Sequence, residues 1–408
     1  MGGINFEILK DKNALVIFVS QLVSIICDKM MSLGLVWYLT SKFSINVVPW
    51  YMAVCFLPHL LMAFFSTKLI NRVGVLQSVI FSEFFRALVL IILYVFILFF
   101  HLEGDQLLTA LFIAGFFVGL GGSVFNPAVL SLPPQLVTPE KVIGLNALID
   151  TSMSISTILG ATFAIFLLNI VDLKMLILIN ALSFLWAGAL QLGLEVNIKE
   201  IVEDRSEELV LGSRAVLKKY PDIARMLGSF LFLNLVFTPI LVMIPWYVQN
   251  MYRGNSGTLA LIEGAMGLGA FLTGLYLSLA SFRIDGAKRI TMISIVSFLF
   301  GIFFLFFAFS KFTWQGAIVL FAIGILSTFL NIQVLTYFQT ALKVEEIPTI
   351  MTAVNIISAA SVPLSLGFSG LIFPHVFIPN FAKASGVLVI IIALIMPRYL
   401  KGSIWKLE

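Results

Sequence analysis

The sequence predicts an all-α integral membrane protein of twelve transmembrane helices in two halves of six. Three observations lead there. The 408 residues are 60% hydrophobic and only 11% charged, with a mean hydropathy of +1.07, whereas a soluble domain carries roughly 25% charged residues. The apolar residues fall into stretches long enough to cross about 30 Å of hydrocarbon, which takes about 20 residues each. One long polar stretch divides the chain near its middle, at 197–220.

Apolar windows bounded by charges or turn residues place the first six spans near 14–40, 47–69, 75–100, 107–132, 142–169 and 174–194. Six more follow the polar stretch, near 224–250, 257–280, 287–309, 313–341, 349–373 and 380–397. The first window is too long for a signal-peptide core and lacks a small-x-small cleavage site, so it is expected to be retained as a helix.

Basic residues are distributed unevenly about these spans. With the N-terminus inside, eighteen lie on the inner side, among them Lys10, Lys68, Arg72, Lys141, Arg205 and Arg398. Only Lys42, Lys174, Arg253, Lys311 and Lys383 lie outside. The positive-inside rule then puts both termini in the cytoplasm, which also requires an even number of spans. The expected location is a bacterial inner membrane.

The organisation read from this is an N-terminal half at 1–196, a cytoplasmic linker at 197–223 and a C-terminal half at 224–408. In the linker Leu209, Val210, Val216 and Leu217 could lie on the inner leaflet as a short amphipathic helix, with Lys218 and Lys219 at anionic headgroups. A solvated tether fits the same residues.

Several classes of function are excluded. The net charge of +4 is spread singly or in pairs between apolar stretches, giving no nucleic-acid face. Cys27 and Cys55, the only cysteines, both lie in spans, and no His, Cys or carboxylate cluster has metal-ligand spacing. There is no P-loop, nucleophile elbow or Gly-rich dinucleotide turn, so the chain reads as a non-enzyme with no cofactor. Energy for any work must come from a gradient or a partner. The glycines at 115 and 119, and those at 267, 269 and 274, are read as sites of close helix packing.

Ionisable groups within spans cost about 2.5 to 3.5 kcal/mol each and mark ion or substrate paths. Asp28 lies near the centre of the first span, and Gln21, Ser24, Asp28 and Ser32 recur on one helix face. Local pairing with Lys29 is the structural alternative. Asp150 is flanked by Asn146, Ser154 and Thr157, a second polar stripe. Glu83 and Arg86 are three apart in the third span, where they can neutralise each other. Glu263 lies two turns into the eighth span, where it could snorkel outward, and Asn234 adds a polar group to the seventh. His59 follows Pro58 and is read as satisfied by a neighbouring helix.

Six pieces carry a resemblance. They are VFNPAVLSLPPQLVTPEKVIGLNALIDT at 124–151, SQLVSIICD at 20–28, INALSFLWAGAL at 179–190, LKKYPDIARML at 217–227, IPWYVQNMY at 244–252 and FQTALKVEEIP at 338–348. Together they resemble the major facilitator branch that includes macrolide efflux pumps and enterobactin-type siderophore exporters. The resemblance implies two six-helix repeats with a site between them near midplane, and export of drugs or siderophores in exchange for protons. Asp28 matches the first-helix acid of such exporters, with Cys27 where the family usually has Gly. Asn126 and Pro127 match the fourth-helix turn element. In the loop after the second span Asn71 replaces the family's Asp, Arg72 and Gly74 remain, and Val75 and Leu76 replace a basic pair. Pro348 and Thr349 stand where an Arg-Gly-Arg element is frequent, so gating chemistry is expected to differ.

The reading is a monomeric secondary transporter exporting a small amphipathic molecule against protons. Asp28 is its protonatable site, and Asp150, Glu83, Arg86 and Glu263 are coupling or cavity residues. A lysolipid flippase on the same fold, and a non-transporting receptor or scaffold, are the alternatives.

Overall fold

The computed structural model describes residues 10–62, 65–137, 171–194, 217–279, 286–340 and 347–400, together with 145, 148–149, 152–153, 155–156, 159–160 and 163–164. Every regular element among them is helical. The chain divides into two compact units, Met1–Phe43 with Tyr51–Asp204, and Ser44–Trp50 with Arg205–Glu408.

In the first unit α1 (Lys12–Lys42) is capped by Asp11, whose carboxylate accepts from the backbone N–H groups of Asn13 at 3.1 Å and Ala14 at 3.4 Å. Most of α2 (Val47–Met62) follows, and then α3 (Ser66–Val73), α4 (Val75–Phe99), α5 (Gly104–Ser131), α6 (Pro133–Leu136) and α7 (Leu173–Gln191). Helix α4 packs on α5 and α7, and α1 packs on α7. At one end of the unit Ile17, Ile70, Val79, Phe125 and Leu132 join α1 and α3 to α6 in an apolar cluster.

The second unit holds α8 (Pro221–Phe237), α9 (Ile240–Asn250), α10 (Ser256–Leu279), α11 (Gly286–Phe309), α12 (Thr313–Thr340), α13 (Ile347–Ile372) and α14 (Ile378–Leu400). The seventh expected span is thus two helices. Pro239, which has no N–H to donate, separates them, and the Thr238 hydroxyl returns to the Asn234 carbonyl at 2.7 Å. Helix α10 packs on α12, α11 on α12 and α14, and α8 on α13 and α14. The α10–α12 contact depends on glycine twice. A Cβ on Gly269 would strike the Phe321 carbonyl, and one on Gly324 the Met266 carbonyl. Gly119 faces the Cys55 carbonyl of α2 in the same way, but Gly274 has open space around it and is not a packing glycine.

Among the described residues nine segments are long and apolar enough to cross a membrane, with Val47–Met62 and Ile356–Ile372 as shorter apolar helices. Phe81, Leu88, Ile92 and Phe99 along α4 are exposed, as expected of helices solvated by lipid. The fifth expected span, 142–169, and the expected linker lie largely outside the described residues, although 217–219 are helical. The sequence assigns 66–73 to the tail of a span and a loop. Those residues instead form the separate helix α3, which stops at Gly74, where φ is +101° and a side chain would be strained.

Candidate functional site

The polar groups of the first unit meet where α1, α4, α5 and α7 approach one another. On α4, Glu83 and Arg86 lie one turn apart, and Arg86 Nη2 donates to Glu83 Oε2 at 2.7 Å. The glutamate side chain is fully buried and the arginine 9% exposed, so neither charge is shared with water. The guanidinium lies between two rings, its Cζ 4.2 Å from the centroid of Phe125 on α5 and 4.2 Å from that of Phe184 on α7. Its Nε donates to the Ser82 carbonyl at 3.4 Å. Gly121 makes room for the stem, since a Cβ there would sit 2.6 Å from Arg86 Cγ. A desolvated cation between aromatic faces gains roughly 2 kcal/mol from such contacts, which offsets part of the cost of burying it.

Two hydrogen bonds connect this pair and its neighbours to α1. Ser24 Oγ donates to Glu83 Oε1 at 3.4 Å. One turn along, Asn180 Nδ2 of α7 donates to Asp28 Oδ1 at 3.2 Å. The same amide nitrogen reaches Met31 Sδ at 3.3 Å, while Ser183 Oγ lies 3.3 Å from Asn180 Oδ1. Further down the helix Gln191 Nε2 donates to Ser20 Oγ at 3.2 Å. Gln21 is 2% exposed, and its Nε2 has no partner among the described residues.

Of the sequence stripe, Gln21 and Ser24 are buried and Asp28 is half-buried, whereas Ser32 is exposed. The expected Glu83–Arg86 pairing is present. Asp28 is half-buried and hydrogen-bonds a neutral amide; it forms no ion pair with Lys29, which is exposed. The remaining expected residues lie elsewhere. Asn146, Asp150, Ser154 and Thr157 fall outside the described residues; nearby Ser156 Oγ donates to the Leu22 carbonyl at 3.1 Å. Glu263 is half-buried on α10 in the other unit. Asn234 turns its amide back to its own helix, donating to the Phe230 carbonyl at 2.9 Å. Asn126 is exposed on α5 beside Pro127, and Arg72 is exposed at the end of α3 beside Asn71 and Gly74. Among the described residues no three His, Cys, Asp or Glu side chains could hold a metal ion.

Sequence reasoning missed Asn180, Ser183, Gln191 and the two rings around Arg86. Asn180 and Gln191 are fully buried polar groups within an apolar span. They were legible in principle, since Asn180 and Ser183 share a helix face at i and i+3. The rings carried no signal in a chain with 39 phenylalanines.

The sequence profile of the Major Facilitator Superfamily matches residues 17–366. Relatives include an uncharacterized MFS-type transporter, YvqJ, of Bacillus subtilis (strain 168). It is 24% identical over 365 residues, covering 85% of this chain and 82% of that protein. Macrolide efflux protein A of Streptococcus pyogenes is 23% identical over 396 residues, 93% of this chain and 94% of that protein. Among solved structures, a POT family transporter in complex with 5-aminolevulinic acid superposes with a TM-score of 0.70 at 11% identity, over 95% of this chain and 96% of the other. A bacterial homologue of the iron transporter ferroportin in the inward-facing state gives a TM-score of 0.70 at 14% identity, over 96% and 99%. At these identities the structures establish the fold alone. With the profile spanning most of an all-helical, membrane-crossing chain, the chain belongs to the Major Facilitator Superfamily and is a membrane transporter, not an enzyme.

Proposed function

We propose that this transporter exports a small amphipathic molecule from the cytoplasm in exchange for protons, with Asp28 as the group that binds and releases the proton. The observation that carries the reading is the contrast between Asp28 and Glu83, the two acids at this site. Glu83 is neutralised by Arg86 at 2.7 Å. Asp28 lies one turn from Ser24 and hydrogen-bonds the neutral amide of Asn180. A carboxylate without a fixed counter-charge can change its protonation state at modest cost, whereas a buried ion pair resists both changes. The relation to macrolide efflux protein A supports the direction of transport and an amphipathic substrate. Both termini are assigned to the cytoplasmic side of a bacterial inner membrane by the distribution of lysine and arginine, and the two six-helix halves are taken to alternate about a shared site.

Everted membrane vesicles test the reading with radiolabelled erythromycin under an imposed pH gradient. Native protein accumulates the label when the lumen is acid, and Asp28→Asn loses gradient-driven uptake at least about tenfold, the equivalent of 1.4 kcal/mol of coupling. Normal accumulation by Asp28→Asn removes Asp28 from the mechanism. Transport of labelled lysolipid instead, independent of the gradient, favours a flippase.

A further inference from the structure

Asn180 stands out from the other polar groups of the first unit because its amide is wired at both ends. It is fully buried, at 0% exposure. Its Nδ2 faces Asp28 Oδ1 at 3.2 Å and Met31 Sδ at 3.3 Å, and neither is a hydrogen-bond donor toward it while Asp28 is ionised. Its Oδ1 faces the Ser183 hydroxyl at 3.3 Å. The single proton of that hydroxyl is shared with the Asn180 backbone carbonyl, the nearer acceptor at 2.8 Å, and the oxygen lies within hydrogen-bond reach of the Cys27 thiol. A flipped amide would set its carbonyl oxygen against the Asp28 carboxylate, acceptor against acceptor. The orientation is therefore dictated by the carboxylate, which can only accept.

We propose that Asn180 is the positioning residue of the proton-carrying step, binding α7 to α1 through the ionised Asp28 carboxylate and loosening that bond when Asp28 takes up a proton. This rests on the proposed role of Asp28. A hydrogen bond to a carboxylate is about twice as strong as one to a neutral acceptor, so protonation roughly halves the tie. The protonated acid can also turn its new O–H toward the amide oxygen if the amide rotates, and the serine hydroxyl can then accept from Nδ2. Either response changes how α7 is held without a charge having to leave the protein interior. Met31 sulfur remains as a weak acceptor for the amide in both states.

Other ionisable groups act on Asp28. Cys27 and Lys29 flank it on α1, and Tyr51 and Cys55 of α2 and Glu83 of α4 interact with it electrostatically. Glu83 is held to Arg86. Ser156 and Gly160 also lie beside α1, at Leu22 and Lys29. Only Asn180 among these makes a hydrogen bond to the carboxylate among the described residues.

A double-mutant cycle on the purified, full-length protein tests the proposal without needing a substrate. Thermal unfolding midpoints are measured for native protein, Asp28→Asn, Asn180→Leu and the double variant, each at pH 8 and about pH 3.5, below the ordinary carboxylate range. The Asp28→Asn variant imitates the neutral acid. The expected result is that Asn180→Leu lowers the midpoint more in the native background than in the Asp28→Asn background at pH 8, and that this margin narrows at the lower pH. An equal margin at both pH values makes Asn180 a merely structural partner and overturns the proposal; so does the absence of a margin at pH 8. If Asn180→Leu does not fold, Asn180→Ala, which removes the amide without adding bulk, gives the same comparison. Vesicle transport by Asp28→Asn reports separately on the proposed function. Its retention sinks that reading, whereas a margin equal at the two pH values alongside lost transport sinks only the role of Asn180.

Discussion

Replacing Arg86 with Met leaves Glu83 as a buried carboxylate with no counter-charge, and the structure allows the cost to be worked out. The two charged groups approach to 2.7 Å with side-chain exposures of 9% and 0%. At an effective dielectric of about 20 their gross attraction is about 6 kcal/mol. Much of that only compensates for desolvating the pair, and removing one member of a buried pair costs about 3–5 kcal/mol net. The guanidinium contacts with Phe125 and Phe184, both at 4.2 Å, place the expected loss toward the upper end, because methionine fills the slot but has no charge to offer the rings. The double variant Glu83→Gln with Arg86→Met should recover most of the loss. The amide introduced by Glu83→Gln can still accept from Ser24, and a neutral pair of similar volume is close to neutral in stability. Unfolding by sodium dodecyl sulfate in mixed micelles, followed by helical circular dichroism, gives the required differences. A single-variant cost below about 1 kcal/mol, or a double variant no better than the single, would refute the argument that the pair is desolvated and mutually dependent.

Two further outcomes follow from the second unit. Gly269→Leu should force α10 away from the Phe321 carbonyl of α12, costing about 1–3 kcal/mol or more as overpacking; folded yield by fluorescence-detected gel filtration checks it, and the larger, more open site at Gly274 should tolerate the same change. Tyr252 lies in the turn after α9 and shares a hydrogen bond with Ser310. Burial pushes its hydroxyl from the ordinary 10.0 up to about 12, the Ser310 bond opposing that shift. A raised folded-state value means stability fully present below pH 10 and lost as the pH rises toward 12. Tyr252→Phe should remove that part of the loss, seen as a shallower fall in unfolding midpoint between pH 10 and 12 than in native protein.

The fold was legible because hydrocarbon imposes length and composition on every crossing. The expected spans 75–100 and 287–309 differ from α4 (Val75–Phe99) and α11 (Gly286–Phe309) by a residue at an end. What composition could not reveal was a break inside an apolar stretch. Pro239 leaves the Leu235 carbonyl without its in-helix donor, and the partner it finds, the Ser365 hydroxyl of α13, is 130 positions away. The helix α3 escaped notice for the opposite reason, since its eight residues, STKLINRV, are too polar to read as a span. In the site, Glu83 with Arg86 was readable because the spacing lies within one helix. Asn180 with Asp28 was not, because those residues are 152 positions apart and only the packing of α7 on α1 brings them together.

The arginine slot also says something about mechanics. Arg86 is bonded to Glu83 on its own helix and gripped by rings from α5 and α7, which rivets three of the bundle's helices into a single stiff block. Helix α1 is attached to that block by Ser24, Asp28 and Ser20, through hydrogen bonds of 3.2–3.4 Å. Stiffness is thus unevenly distributed. A load applied to the first unit should be taken up at the face of α1, where side-chain tethers can be exchanged one at a time, and not within the riveted block, where motion would have to pull the guanidinium from between two rings.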